Sequence, residues 1–324
     1  MYLGFDIGGT SARASLYDAD WRAVSAGRRR VREATAPAQV ADLVADMIDE
    51  LVDEAGEARD SVEIEGVGIG LAAQLGPEGR TVINAPNLGW RDEPFAERVG
   101  ERLREAWGAL DIALVNDLNA LLWGEHYAGA LEDVDDALAV YVGTGVGGAL
   151  MSGGRLTVGA RGVAGEIGHS KVVPGGRLCG CGEHGCLEAY AGGIHLERQV
   201  AALADEASGL EDVFADAADD ATADAVDLAV ADELARAHEQ LGELWRQATD
   251  FLAMVVANAC TLLNPAVLLV GGGVVENCDY FREQFLTKTS PLVLEVARES
   301  LEMREPALGD DAGMLGAARL AARR

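Results

Sequence analysis

The sequence predicts an α/β chain folded as two lobes with a cleft between them. Three observations carry this reading. The chain has 324 residues, 49% of them apolar, enough for two ordinary cores. Two related glycine-rich hairpins, "YLGFDIGGTSARASLYDAD" and "ALAVYVGTGVGGALMSGG", open the two halves. Apolar strand-like runs also alternate with helical patterns along the chain, as in layered α/β folds.

The first hairpin is an apolar strand, a turn at Gly8 and Gly9, and a second, alternating strand. In the second, Gly143, Gly145, Gly147 and Gly148 sit between two apolar runs. Such glycines let backbone N–H groups approach an anion, and the Thr10 and Thr144 hydroxyls add donors. Two such turns facing each other can hold a polyphosphate, although either alone is equally readable as a tight hairpin. Neither turn matches the strand-to-helix dinucleotide fingerprint or the lysine-containing P-loop. A third glycine turn, Gly271 to Gly273 in "AVLLVGGGVV", follows an apolar strand and suits a flat ligand against the backbone.

Between the hairpins, "DIALVNDLNALLWGEHYAG" reads as a short strand ending in Asn116-Asp117, then an amphipathic helix. Ligands of open α/β sheets collect beyond the carboxyl ends of strands, which makes both side chains candidates. Taken alone, Asp117 is read first as a helix N-cap, a common role for Asp. "PNLGW", Pro86 to Trp90, reads as a turn.

The most apolar stretch, from Phe251, is interrupted by Asn258, Thr261 and Asn264-Pro265, and predicts a buried helix and strand instead of a membrane span. The start of the chain lacks the pattern of a secretory signal, so a cytoplasmic protein is expected. Net charge is −28, and Lys171 and Lys288 are the two lysines. No basic stripe is available to neutralise a phosphate backbone, which argues against nucleic acid as a partner. A carboxylate-rich, lysine-poor surface suits a protein dissolved in concentrated salt, and a halophilic source is expected. The acidic, alanine-rich segment 200–232 is expected to form solvated helices without chemistry.

"GEIGHSKVVPGGRLCGCGEHGCLEAY", residues 165–190, holds three of the five cysteines and two of the five histidines. A disulfide knot, a metal site and part of an active site are the alternatives. In order along the chain, "DIGGT", "PNLGW", "VND", "VGTGVGGAL", "GEIGH", "CGCGEHGCLE" and "LVGGGVV" resemble the ROK family, the sugar kinases and related repressors of the actin-like ATPase superfamily, and its ATP-dependent glucokinases above all.

The resemblance implies an actin-like ATPase (ribonuclease H-like) fold. The small lobe would span 1–117 and be completed by a C-terminal helix at about 305–324, with the large lobe at 118–304. It implies ATP-dependent phosphorylation of a hexose, glucose at the 6-hydroxyl first, with mannose, fructose or an N-acetylhexosamine as alternatives, and a homodimer or homotetramer. ADP or polyphosphate as donor stays open. A sugar-responsive regulator is the rival from another class; such repressors carry a DNA-binding domain ahead of "DIGGT", for which Asp6 follows Met1 too closely.

The family's structural zinc carries over to His169, Cys179, Cys181 and Cys186. Three thiolates and an imidazole suit a closed tetrahedral site, with His184 an alternative to His169. A disulfide is the weaker reading in a reducing compartment. By the resemblance Asn87, Asn116, Glu166, His169 and Glu188 bind sugar hydroxyls and Asp117 is the catalytic base. Asp6 would lie near Mg²⁺ through water, Gly8, Gly9, Thr10, Thr144 and Gly145 would cradle phosphates, and Gly271, Gly272 and Gly273 would lie by the adenosine. His169 can serve both zinc and sugar, because its two ring nitrogens are distinct. Two departures stand out: Ser11 where the family often has lysine, and Ala72-Ala73-Gln74 where its glucokinases usually have a "PG" turn bordering the sugar. Cys260 and Cys278 are expected to be ordinary core or surface residues.

Overall fold

The computed structural model describes residues 1–31, 35–56, 62–206, 210, 213 and 226–323. The chain divides into two units: Met1–Asp135 with Ala149–Ala164 and Pro306–Arg324, and Asp136–Gly148 with Gly165–Glu305.

In the first unit, β1 (Tyr2–Ile7), β2 (Ser11–Tyr17), β3 (Ala23–Arg30), β4 (Gly66–Leu71) and β8 (Ile112–Asn116) form one sheet in the order β3-β2-β1-β4-β8. The β1–β2 and β2–β3 pairs are antiparallel, whereas β1, β4 and β8 run parallel. Strand alternation sends Leu3, Phe5, Ile7, Val67 and Ile69 into one core, which they share with residues of α1 (Pro37–Glu54) and α2 (Phe95–Trp107). On the other face of the sheet, β1 and β4 carry glycines where the C-terminal helix packs. A Cβ on Gly68 would lie 1.9 Å from the Ala317 carbonyl oxygen, so α11 (Asp311–Ala321) rests directly on strand backbone. The small three-stranded sheet β5 (Gln74–Leu75), β6 (Val82–Ala85) and β7 (Trp90–Glu93) completes this part of the unit.

The compact units divide at Asp135, not at residue 117, because α3 (Asp117–Ala128) is packed against α11. Their backbones touch: a Cβ on Gly316 would lie 1.7 Å from the Ala120 carbonyl oxygen, and one on Gly124 would lie 2.0 Å from that of Ala312. For the same reason α3 is not the amphipathic helix expected; all but its last residue, Ala128, are buried or half-buried. Glu125, fully buried on α3, accepts from the Ala130 N–H at 2.7 Å and the Leu308 N–H at 2.8 Å.

The second sheet follows the order β11 (Arg155–Leu156), β10 (Val146–Ser152), β9 (Ala137–Val142), β12 (Val267–Gly271), β13 (Glu302–Arg304). It repeats the order of the first sheet: a three-strand meander, then two strands added beside its first strand. The weak hairpin repeat in the sequence is thus a repeat of topology. β12 is parallel to β9 and β13 and buried along its whole length, which explains its unbroken apolar run.

The stretch from Phe251 is the later part of α7 (Glu239–Leu263), which ends at Asn264 in the left-handed conformation and is followed by β12. Among the described residues no helix is long and apolar enough to cross a membrane. Around the acidic segment, α5 (Gly193–Glu206) and α6 (Leu228–Ala235) are described; 207–209, 211–212 and 214–225 lie outside the described residues. The expectation of solvated helices fails at Asp232, which is 4% exposed and accepts from Trp245 Nε1 at 2.6 Å and from the N–H groups of Tyr280 and Phe281, both at 2.8 Å. A carboxylate that takes three donors is stable in the core.

Candidate active site

The candidate residues fall into two groups, one in each unit. In the first, the parallel register aligns Ile7 with Leu71 and Leu71 with Asn116, so the carboxyl ends of β1, β4 and β8 lie side by side. From these three ends leave the Gly8–Thr10 turn, the Ala72-Ala73 bend and the start of α3. This is where ligands of parallel sheets bind.

The turn is closed by the Gly8 N–H donating to the Ser11 carbonyl at 2.9 Å, and Thr10 is exposed. A Cβ on Gly9 would lie 3.1 Å from Asn87 Cβ, which brings the exposed Asn87 of the Pro86–Gly89 turn beside the first glycine turn. Asp6, near the end of β1, pairs with Arg13 at 3.4 Å, and Arg13 also pairs with Asp310. Burial raises the Asp6 carboxyl above its usual range, with Arg13 opposing the shift and Asp310 adding to it. Sequence reasoning missed Arg13, whose only signal is its place opposite Asp6 in the hairpin.

The helix cap is Asn116, not Asp117. Asn116 Oδ1 accepts from the Leu118 and Asn119 N–H groups at 3.1 and 3.2 Å, and its Nδ2 donates to the Ala73 carbonyl at 3.4 Å. Asp117 is the first helical residue, half-buried, with its Oδ1 2.9 Å from the Leu118 N.

In the second unit, the Gly143–Gly145 turn follows β9, and Gly272 follows β12 with φ +96°. A Cβ on Gly272 would lie 2.7 Å from Val142 backbone, so the two turns approach as only glycine allows. A cavity of about 700 Å³ opens here, lined by Gly143, Thr144, Gly193, Glu197, Asp227 and Asn277 among others. Of the predicted nucleotide residues, Thr144 and Gly273 line it. Glu197, Asp227 and Asn277 were missed; Asp227 alone had a sequence signal, as the N-cap it is for α6.

The cysteine segment gathers His169, Cys179, Cys181 and Cys186, whose ligand atoms all lie within 4.8 Å of one another. Cys181 Sγ is 3.8 Å from Cys186 Sγ, and Cys179 Sγ is 3.7 Å from His169 Nδ1. A tetrahedral ion with metal–sulfur bonds of about 2.3 Å places its ligands about 3.8 Å apart, so the donor set fits Zn²⁺. His184 is outside the group, its Nδ1 2.9 Å from the Gly176 carbonyl oxygen. All five cysteines are free in this structure. Cys260 and Cys278 are buried, and burial pushes their thiols up to about 11 and about 12.

His169 Nε2 lies 3.6 Å from Glu166 Oε2, so the ring faces the thiols with one nitrogen and a carboxylate with the other. Glu188 accepts from the Val146 N–H at 3.1 Å through Oε2 and from the Cys179 thiol at 3.4 Å through Oε1. A Cβ on Gly145 would lie 2.3 Å from that Oε2, so glycine at 145 also makes room for Glu188.

The ROK family profile matches residues 2–324. The glucokinase of Streptomyces coelicolor is 32% identical over 322 residues, covering 99% of this chain and 97% of its own. An N-acetylmannosamine kinase of Citrobacter koseri is 32% identical over 325 residues, 98% of either chain. Among solved structures, a ROK family glucokinase from Streptomyces griseus in complex with glucose and AMPPNP is similar with a TM-score of 0.77 at 32% identity, covering 100% of this chain and 99% of its own. With a whole-length match and the family's actin-like fold, this chain belongs to the ROK family.

Proposed function

We propose that the protein is an ATP-dependent hexose kinase whose acceptor is the 6-hydroxyl of glucose. The observation that carries this reading is the whole-length similarity to glucokinases, including one that binds glucose and an ATP analogue.

A sugar hydroxyl is a poor nucleophile at neutral pH; Asp117 accepts its proton as the oxygen attacks the γ-phosphorus, and the bond from that phosphorus to the bridging oxygen breaks to release ADP. Asn116, Asn87, Glu166, His169 and Glu188 orient the hydroxyls, and orientation supplies much of the rate. The position of Asn116 and Asp117 at a strand end supports this assignment, as does the capping of α3 by Asn116 and not by Asp117. The N–H groups of the Gly8–Thr10 and Thr144–Gly145 turns take the phosphates. Mg²⁺ would neutralise charge between phosphates, with Asp6 holding it through water. Zn²⁺ on His169, Cys179, Cys181 and Cys186 would supply a structural crosslink that fixes the His169 ring.

The Citrobacter relative favours a second reading, an N-acetylmannosamine kinase, and Ala72-Ala73 beside Asn116 is where the acceptor site departs from the glucokinase pattern. A coupled assay with ATP against glucose, mannose, fructose, N-acetylglucosamine and N-acetylmannosamine tests the choice. Glucose is expected to have the highest kcat/KM, and a higher value for N-acetylmannosamine would reverse the assignment.

A further inference from the structure

The cavity in the second unit carries more information than its size. The phosphate-binding end is set by backbone: the Gly193 N–H donates to the Gly143 carbonyl at 2.8 Å and the Ile194 N–H to that of Thr144 at 3.1 Å, which ties the glycine turn to the start of α5. One turn along α5 stands Glu197, exposed and lining the cavity. A second wall is the start of α6, where Asp227 Oδ1 accepts from the N–H groups of Ala229 and Val230, at 2.9 and 3.3 Å. Its Oδ2 enters neither bond. On a third wall, Asn277 Nδ2 donates to the Gly273 carbonyl at 2.7 Å, which leaves its Oδ1 as an acceptor.

The side-chain chemistry is therefore one-sided. Two carboxylates line the cavity and, among the described residues, no arginine, lysine or histidine does. Such a lining repels a chain of phosphates lying through it. It attracts neutral groups rich in hydroxyl and amino donors, since ionised carboxylates are acceptors only and bind such donors strongly.

We propose that Glu197 and Asp227 make this donor pocket selective for a ribonucleoside triphosphate, by accepting hydrogen bonds from the ribose hydroxyls, and against linear polyphosphate. The inference rests on the kinase reading for the identity of the cavity as the donor pocket. It goes beyond that reading by assigning the residues that choose the donor. Asp227 caps a helix as well, so Asn at this position, which also caps, is the fitting substitution.

Calorimetric titration of the whole protein with the non-hydrolysable ATP analogue AMPPNP and its 2′-deoxy and 3′-deoxy counterparts reads the pocket without needing the hexose. Loss of a hydrogen bond to a charged group corresponds to roughly tenfold or more in affinity. At least one deoxy analogue is expected to bind about tenfold more weakly than its parent. In Glu197→Ala or Asp227→Asn that preference shrinks toward unity, with the kinetic loss falling on KM for ATP. Equal binding of all three analogues by the unaltered protein overturns the proposal, as does turnover with polyphosphate comparable to that with ATP. So does retention of the full preference in both variants. A hexose panel without any turnover, beside an intact ribose preference, would sink the kinase reading and leave the pocket assignment standing.

Discussion

At the residue scale, Asp117 is defined by its neighbour. Because Asn116 supplies the cap of α3, replacing Asp117 by Asn removes a base without removing a cap. Turnover of Asp117→Asn is expected to fall by at least roughly 10²-fold while the protein stays folded and still binds sugar. Near-normal turnover in a well-folded variant would rule out the base. Asp6 illustrates a stability cost at a functional position. Its folded-state pKa is raised by burial, against the opposing Arg13. A raised carboxyl means the folded state holds its proton more tightly than the unfolded chain, so stability falls as pH rises from the unfolded value through the folded one. Above that window the penalty is constant. Asp6→Asn is therefore expected to melt higher than the parent at pH 7 and to lose activity; a lower melting temperature at pH 7, with no loss at acid pH, would contradict the burial argument.

Among the elements, the contact of α3 with α11 has little tolerance, because a methyl group on Gly316 would collide with the Ala120 carbonyl. Overpacking of this kind costs about 1–3 kcal/mol, and more where backbone must move. Gly316→Ala is expected to lower the urea midpoint accordingly; an unchanged midpoint would mean that the helices separate freely. The cysteine segment depends on a different force. Residues 165–190 contain a single 3₁₀ turn, Ile167–His169, one short helix and isolated bridges such as Lys171 to Cys186, so a metal crosslink has much to contribute. The purified protein is expected to contain about one zinc per chain, and Cys181→Ser to lose metal and thermal stability together. Fully active protein free of transition metal would remove the assignment.

For the whole molecule, charge dominates. The 54 carboxylate side chains outnumber the 26 lysines and arginines by 28 (54 minus 26), which is the net charge of −28. Surface pairs such as Arg246 with Glu243 and Asp250 relieve only part of the repulsion. Screening shortens from about 10 Å at 0.1 M salt to about 3 Å at 1 M. Melting temperature and activity are expected to rise from low to molar potassium chloride, consistent with a halophilic source. Melting temperatures that do not change with salt would show the acidic surface to be incidental to stability.

The sequence by itself determined the elements whose signals are local: the two glycine hairpins, the strand ending at Asn116, the buried helix and strand from Phe251, and the ligand types of the cysteine segment. These follow from turn chemistry and from periodicity over a few residues. Tertiary structure alone decided the identity of the cap on α3, the choice of His169 over His184, the burial of Asp232, and the presence of Glu197 and Asp227 in one cavity. Each depends on which segments meet in space. An acidic residue in an alanine-rich stretch looks solvated until the N–H groups of a helix distant in sequence, here those of Tyr280 and Phe281, are found to end on it. The division at Asp135 has the same origin: α3 joins the first unit because Gly124 and Gly316 let two helices nearly two hundred residues apart touch backbone to backbone, a contact that no local pattern encodes.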